Sequence, residues 1–388
     1  MLNALNGSIQ AELCRFFNVI DDSYLSTKSV STAAFCKARM KLSHQAFIEL
    51  NDDLVQEFYD VASITKWHGH RLLAVDGSVT QLPISKELFD HYGRVRSNAG
   101  MPAVRLSQLY DVKNNMTVNM TVDLQVESHT VGERDMALKH LNKTQAGDLV
   151  VYDRGYPAVW FYKYHMLKNI DFCMRIVKSS NVVKAFIESG RYSDVVNFPC
   201  IEKSLRRCRK DKISTEPLNL RLVRVDLPSG QVEILVSSLT DQQAYPTSIF
   251  ADLYHQRWGV EEDYKVLKSR LNIENYSSLS VEGILQDLHA KLLTKNLASV
   301  AAFDAKMELT LSETTKRYEY KINVTFAINQ LKDNVVRFMM KLAGAELSRL
   351  LISKISKSLS VIRPNRKFSR RDKRFTPNKY PMSYKRVC

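Results

Sequence analysis

RLLAVDGS, residues 71–78, and DLVVYDRGYP, residues 148–157, share one device. Each is a short apolar run, Leu72 to Val75 and Leu149 to Tyr152, closed by an aspartate, Asp76 or Asp153, and followed by a Gly-containing turn. Four apolar residues flanked by turn signals predict a buried strand, with the carboxylate at its end. Between the two, LSQLYDVKNNMTVNMTVDLQVE (106–127) holds two β-rich runs broken by Lys113, Asn114 and Asn115, the pattern of a hairpin. A helix follows, opened by a capping box of Thr130 and Glu133, which assigns Glu133 to the helix start. Residues 158–169 continue as a helix, and DFCMRIV supplies another strand. The order β, ββ, α, β, α, β over 71–177 predicts an α/β protein with a mixed sheet flanked by helices.

Outward from this block the texture changes. Residues 1–70 carry helical apolar spacing, with Ser43 as an N-cap, and form a helical N-terminal region. They hold six Lys/Arg against eight Asp/Glu, so any contact with DNA ends would rest on a few placed side chains. Residues 180–240 have strand-like runs around the basic segment KSLRRCRKDK and read as an inserted β subdomain. Residues 71–179 and 241–300 then make the core. The segment 301–388 is a helical C-terminal region with a basic tail, and helical texture runs from about Gly283 to Ser358 with a break near Ser312 to Tyr320. The tail, Arg363 to Cys388, has ten Lys/Arg and one Asp, a composition that attracts nucleic acid or solubilises.

The chain of 388 residues carries a net charge of +15 and a pI near 9.4, which favours a polyanionic partner. No apolar run approaches the roughly 20 residues that span a bilayer, so a cytoplasmic protein without a membrane partner is expected. Six scattered cysteines without a C-x-x-C pair indicate neither a zinc site nor a disulfide framework. The pair His68 and His70 reads as a surface feature.

FADLYHQRWGVEEDYKVLKSRL (250–271) has the period of one amphipathic helix. Tyr254, Arg257, Glu261, Tyr264, Lys265 and Lys268 share an arc of roughly 100°, beside an apolar stripe of Leu253, Val260, Leu267 and Leu271. A carboxylate between cations suits a phosphodiester, with Glu261 for a metal and Arg257 and Lys268 for phosphate oxygens. Charge-laced helix faces are also common where nothing binds. Asp76 and Asp153 tip the balance. If their strands lie side by side and parallel, both acids open at one sheet edge, and the helix can bring Glu261 to them. Three converging carboxylates repel unless a cation is present, and magnesium suits an all-oxygen set.

With these residues in place the sequence resembles the DDE transposases of bacterial insertion sequences, the group marked by Y-x(2)-R-x(3)-E-x(6)-K. Tyr254, Arg257, Glu261 and Lys268 fill the signature, VDGS carries the first family aspartate at Asp76, and YDRGYP the second at Asp153. SLTD, YKINVTFAINQL and RPNRKFSRR extend the likeness over nearly the whole chain. The resemblance implies an RNase H-like core with an inserted β domain. It implies Asp76, Asp153 and Glu261 as catalytic ligands of two Mg²⁺ ions, with Mn²⁺ as a substitute. The signature assigns DNA contacts to Tyr254, Arg257 and Lys268, to which the shared helical arc adds Lys265, and the resemblance assigns cut-and-paste transposition to a homodimer on paired ends of double-stranded DNA. Relatives with a hairpin step stack a flipped base on a tryptophan of the inserted domain. No Trp occurs here between residues 161 and 257, which leaves Tyr192 or Phe198 for that part and Trp160 and Trp258 for the core. A nuclease of the same fold without strand transfer, and a catalytically silent DNA-binding relative, are the competing readings.

Overall fold

The computed structural model describes residues 8–22, 26–27, 29–93, 101–123, 132–311, 319–340 and 344–362. The basic tail from Arg363, the helical break at 312–318 and the capping Thr130 lie outside them. Three helices open the chain, α1 (Ile9–Ile20), α2 (Thr32–Arg39) and α3 (Gln45–Val61). His44 takes the N-cap of α3 in place of Ser43, whose hydroxyl instead accepts from the Gln45 N–H at 3.2 Å. Next come β1 (Leu72–Gln81), α4 (Lys86–Tyr92), and the hairpin of β2 (Ala103–Asp111) and β3 (Met116–Asp123). Asn115 turns that hairpin at φ 55°, a left-handed conformation that Asn tolerates. Then follow α5 (Glu133–His140), β4 (Leu149–Tyr152), α6 (Val159–Leu167) and β5 (Asp171–Ile176). The expected order holds, with α4 as an addition.

The stretch 180–240 carries α7 (Asn181–Glu188), β6 (Ser193–Phe198), α8 (Glu202–Lys210), β7 (Leu218–Asp226) and β8 (Val232–Ser237). After it come α9 (Phe250–Gln256), α10 (Trp258–Ser269) and the long α11 (Val281–Leu311). The chain continues through β9 (Glu319–Ile322), α12 (Val324–Met339), α13 (Ala345–Lys357) and β10 (Leu359–Ile362). β9 and β10 pair antiparallel inside the stretch expected to be helical, because runs of four residues are too short for periodicity to betray.

Eight strands form one sheet in the order β3-β2-β1-β4-β5-β8-β7-β6. β1 is antiparallel to β2 and parallel to β4, and β4 is parallel to β5. This 3-2-1-4-5 arrangement is that of an RNase H-like core. The strands of 180–240 join the core's sheet: β8 pairs antiparallel with β5, Cys173 opposite Ser237, and the sheet widens by three strands. Pairing covers an edge of β5 that would otherwise expose its backbone polar groups.

Because side chains alternate across a strand, β1 feeds both faces. Leu73 and Val75 join a core with α3, α5, α6, α7 and α8, among them Phe58, Phe161 and Phe186. Leu72 and Ala74 face α9, α10 and α11 through Phe250, Val260 and Leu288. Leu72, Leu73 and Val75 are fully buried, and each such side chain contributes about 1.5–3 kcal/mol. The N-terminal helices dock on α11, where the buried Arg39 donates to Gly283 O at 2.7 Å and to Asp287 Oδ1 at 2.9 Å.

Candidate active site

In the parallel pair of β1 and β4, Val75 lies beside Tyr152. The next residues, Asp76 and Asp153, therefore occupy neighbouring positions on chains about 4.8 Å apart. Asp76 is not at a strand end as expected. β1 runs on to Gln81 because β2 keeps pairing with it, Gly77 opposite Ser107, and that pairing overrides the turn signal. What stops beside Asp76 is β4, and this opens a crevice at the carboxyl ends of the parallel strands, where such sheets bind ligands.

The third acid comes from a helix that is broken rather than continuous. Arg257 separates α9 from α10 with tight three-residue bonds: its N–H donates to Tyr254 O at 3.1 Å, and Val260 N–H donates to Arg257 O at 3.2 Å. Gly259 follows where a Cβ would stand 3.2 Å from Val112 Cγ1, so the helix seats closely on the β2–β3 turn. Phe250, Leu253 and Tyr254 pack with Leu72 and Val151, and Val260, Tyr264 and Leu267 with Ala74. The polar arc thereby meets the strand ends. Tyr254 donates to Asp153 Oδ1 at 3.0 Å, Tyr264 donates to Asp76 O at 3.1 Å, and Arg257 Nη2 donates to Glu261 Oε1 at 2.9 Å.

Electrostatics tie the three acids together. Burial pushes the Asp76 carboxyl up to about 6; the Gly77 N–H and Arg257 oppose the rise, and the negative charges of Glu261 and Asp153 add to it. At Asp153 burial pulls upward too, but the Arg154 N–H, Arg175, Arg257 and the Tyr254 hydroxyl outweigh it and hold that carboxyl below its usual range. Arg257, 4% exposed, lies among all three. Lys268 reaches back to β1, where its ammonium donates to Val79 O at 3.1 Å. Lys265 does not join the group: its ammonium pairs with Glu262 in solvent.

A scan against family models matches residues 67–297 to the transposase DDE domain. The chain belongs to the DDE transposase family. Among curated relatives, it is 23% identical over 327 residues to the transposase InsG for insertion sequence element IS4 of Escherichia coli strain K12, covering 83% of this chain and 70% of that one. It is 20% identical over 386 residues to the transposase for insertion sequence element IS231E of Bacillus thuringiensis subsp. finitimus, covering 88% and 78%. Among solved structures, a piggyBac transposase synaptic complex with hairpin DNA aligns at 10% identity and a TM-score of 0.42, over 76% of this chain and 57% of that chain. A likeness at that level decides nothing about this family member.

Three groups at the mouth of this DDE protein escaped the sequence pattern. Arg175 on β5 stands 2.8 Å from Asp153 Oδ1 and 2.5 Å from Glu233 Oε1. Its signal was a lone cation inside the apolar DFCMRIV. Tyr156 is buried with its hydroxyl among acids: burial first, then Glu133, Asp76 and Asp153, push its pKa up. Glu133 is no cap, since Gly132 takes that position without a side-chain bond. Its carboxylate lies 4.0 Å from where a side chain at Gly77 would begin and 3.2 Å from the same point at Gly155. Trp258 is 37% exposed beside the Arg257 guanidinium and not in the core, whereas Trp160 is buried as expected. Phe198 is buried, while Tyr192 is 59% exposed. Of the histidine pair, His68 is exposed and His70 partly buried, its ring bonding Gly147 O at 2.8 Å and Tyr245 Oη at 2.7 Å.

The donor set of Asp76, Asp153 and Glu261 is all oxygen and suits a hard divalent cation such as Mg²⁺. Burial is the first cause of the raised Asp76 carboxyl, and a bound cation would favour its ionised form in place of the lost water. Among the described residues no three His, Cys, Asp or Glu side chains are gathered tightly enough to hold an ion as they stand. Guanidinium groups occupy part of the set, Arg257 on Glu261 and Arg175 on Asp153. The residues fit the ion by chemistry, and ligation would have these carboxylates exchange arginine for metal.

Proposed function

We propose that this chain is an insertion-sequence transposase that cuts and joins double-stranded DNA by metal-dependent phosphodiester chemistry, with Asp76, Asp153 and Glu261 as ligands of two Mg²⁺ ions. The observation that carries the reading is the register of β1 and β4, which sets two acids side by side beneath the helix bearing the third. What bound magnesium supplies is charge neutralisation on the attacking and leaving oxygens of an in-line displacement. The rest of the work belongs to the chain. Above pH about 6 Asp76 is ionised and able to bind. The Tyr254 hydroxyl orients Asp153. Arg257, released from Glu261, presents a planar fork to a phosphate, and Lys268 has ammonium protons left beyond the one on Val79 O.

By family resemblance the reaction is cut-and-paste transposition: water nicks the element end, and the freed 3′ hydroxyl attacks target DNA within a homodimer on paired ends. The test is to incubate the protein with element-end DNA and Mg²⁺ and to map the products. Wild type should leave 3′ hydroxyl ends, and pre-nicked ends should join to a target. Asp153→Asn should abolish cleavage and leave DNA binding intact. Cleavage by Asp153→Asn at the wild-type rate would refute the assignment, and cleavage without joining would reduce the protein to a nuclease.

A further inference from the structure

A second charged feature lies around α10 from the acids. A cavity of about 1020 Å³ is enclosed by α10, α11, the β2–β3 turn and the β9–β10 pair. At 100° per residue the α10 residues Glu262 and Val266, which line it, lie about 100–140° around the helix from Glu261. The cavity thus opens on a different side of α10 from the acids. Six cations and two acids line it. Both acids are already neutralised, Glu262 by Lys265 and Asp263 by Lys295. Lys113, Arg270 and Lys321 have no acidic partner among the described residues, so the cavity carries an uncompensated positive charge from three different elements. Tyr320 of β9 adds a ring that is 37% exposed.

We propose that this cavity is a groove for a single strand of DNA, held by its phosphates on Lys113, Arg270 and Lys321 and by a base against Tyr320. The inference rests on the reading of the chain as a DNA-processing enzyme. A cationic track with an aromatic face is the chemistry that binds unpaired strands, because a duplex keeps its base faces stacked inside. The tail from Arg363 is excluded as the occupant by its own charge, ten Lys/Arg against one Asp.

The test compares wild type with the triple variant K113Q/R270Q/K321Q, by fluorescence anisotropy with a labelled oligothymidine strand and a labelled duplex of equal length over a salt series. Each lost phosphate contact on a single strand lowers the log–log salt slope by about 0.7, so the triple variant should lose about 2 units of slope for the single strand and none for the duplex. Each single Gln variant should lose about a third of that, which guards against misfolding of the triple. An unchanged slope, or an equal loss for the duplex, overturns the groove. End cleavage by wild type in Mg²⁺ is scored separately. A moved slope without cleavage would keep the groove and sink the enzyme, while cleavage with an unmoved slope would do the reverse.

Discussion

Glu261 and Asp263 are two residues apart on α10 and face different sides of it. Glu261 keeps 30% of its side chain exposed and, among the described residues, has a single ion partner, Arg257, at 2.9 Å. Asp263 is 3% exposed, with Lys295, itself 2% exposed, at 2.9 Å. Its other oxygen accepts from Gln108 and from Thr117 Oγ1, and Lys295 donates in turn to Asn115 O at 2.9 Å. A carboxylate satisfied on both oxygens in a dry interior is committed to the fold. One that is wet and held by a single exchangeable guanidinium is available to a ligand. The same side-chain chemistry on one helix is thus divided between the fold and the proposed metal site by burial and by the number of partners.

The sharpest break of that comparison is Glu261→Gln. Loss of one ligand should cut Mg²⁺-dependent cleavage by at least about 10³-fold, the several kcal/mol at stake in stabilising transition-state charge, while the urea midpoint stays near wild type. Lys295→Met should do the opposite. Breaking a buried pair from one side costs about 3–5 kcal/mol, and the double variant Asp263→Leu/Lys295→Met should recover most of it. Urea unfolding of the two variants measures both figures. Equal stability losses at 261 and 295 would end the division.

How far this division was legible in the sequence differs by residue. Leu72–Val75 and Leu149–Tyr152 are unbroken apolar runs, so the strands and their acids stood out. That Asp76 and Asp153 are side by side required the strand order, which follows from right-handed parallel connections once two strands are placed. The gap at Arg257 left no mark, because helical periodicity runs through it and the break shows only in the three-residue bonds on either side of Arg257. Asp263 carried no local signal, since its partners Gln108, Thr117 and Lys295 come from positions between 32 and 155 residues away. Glu133 had a local explanation, the cap with Thr130, that concealed its approach to Gly77 and Gly155. The strands of 180–240 were visible, but which edge they would join was not.

Acid should load the two environments with opposite sign. Burial holds His140 at about 3 and His165 and His289 at about 4, below the ordinary 6.5, so these rings stay neutral in the fold while the unfolded chain takes up protons. Stability is lost as pH falls below 6.5, by about 2 kcal/mol for each ring at pH 5. Asp76, raised to about 6, binds its proton earlier in the fold than in the unfolded chain. Between pH 6 and pH 5 it returns about 1 kcal/mol. Urea unfolding at pH 7 and pH 5 should therefore show a net loss, larger by about 1 kcal/mol in Asp76→Asn. A drop of the same size in both proteins would mean that Asp76 titrates as an ordinary carboxyl.

Lys265 gives the smallest effect and tests the border of the mouth. The helical arc puts it with the DNA contacts, yet its ammonium pairs with Glu262 where both side chains are about two-thirds exposed. Such a pair contributes about 0.2–1 kcal/mol at most, so Lys265→Ala should leave the urea midpoint almost unmoved. Lys268, anchored on Val79 O within three residues of Asp76, is placed to act on a phosphate at the mouth. Lys268→Ala should therefore reduce Mg²⁺-dependent end cleavage well beyond Lys265→Ala. If cleavage assays put the two variants level, position on the helical arc outweighs the partner each lysine holds, and the boundary between reactive mouth and solvated face runs past Lys265.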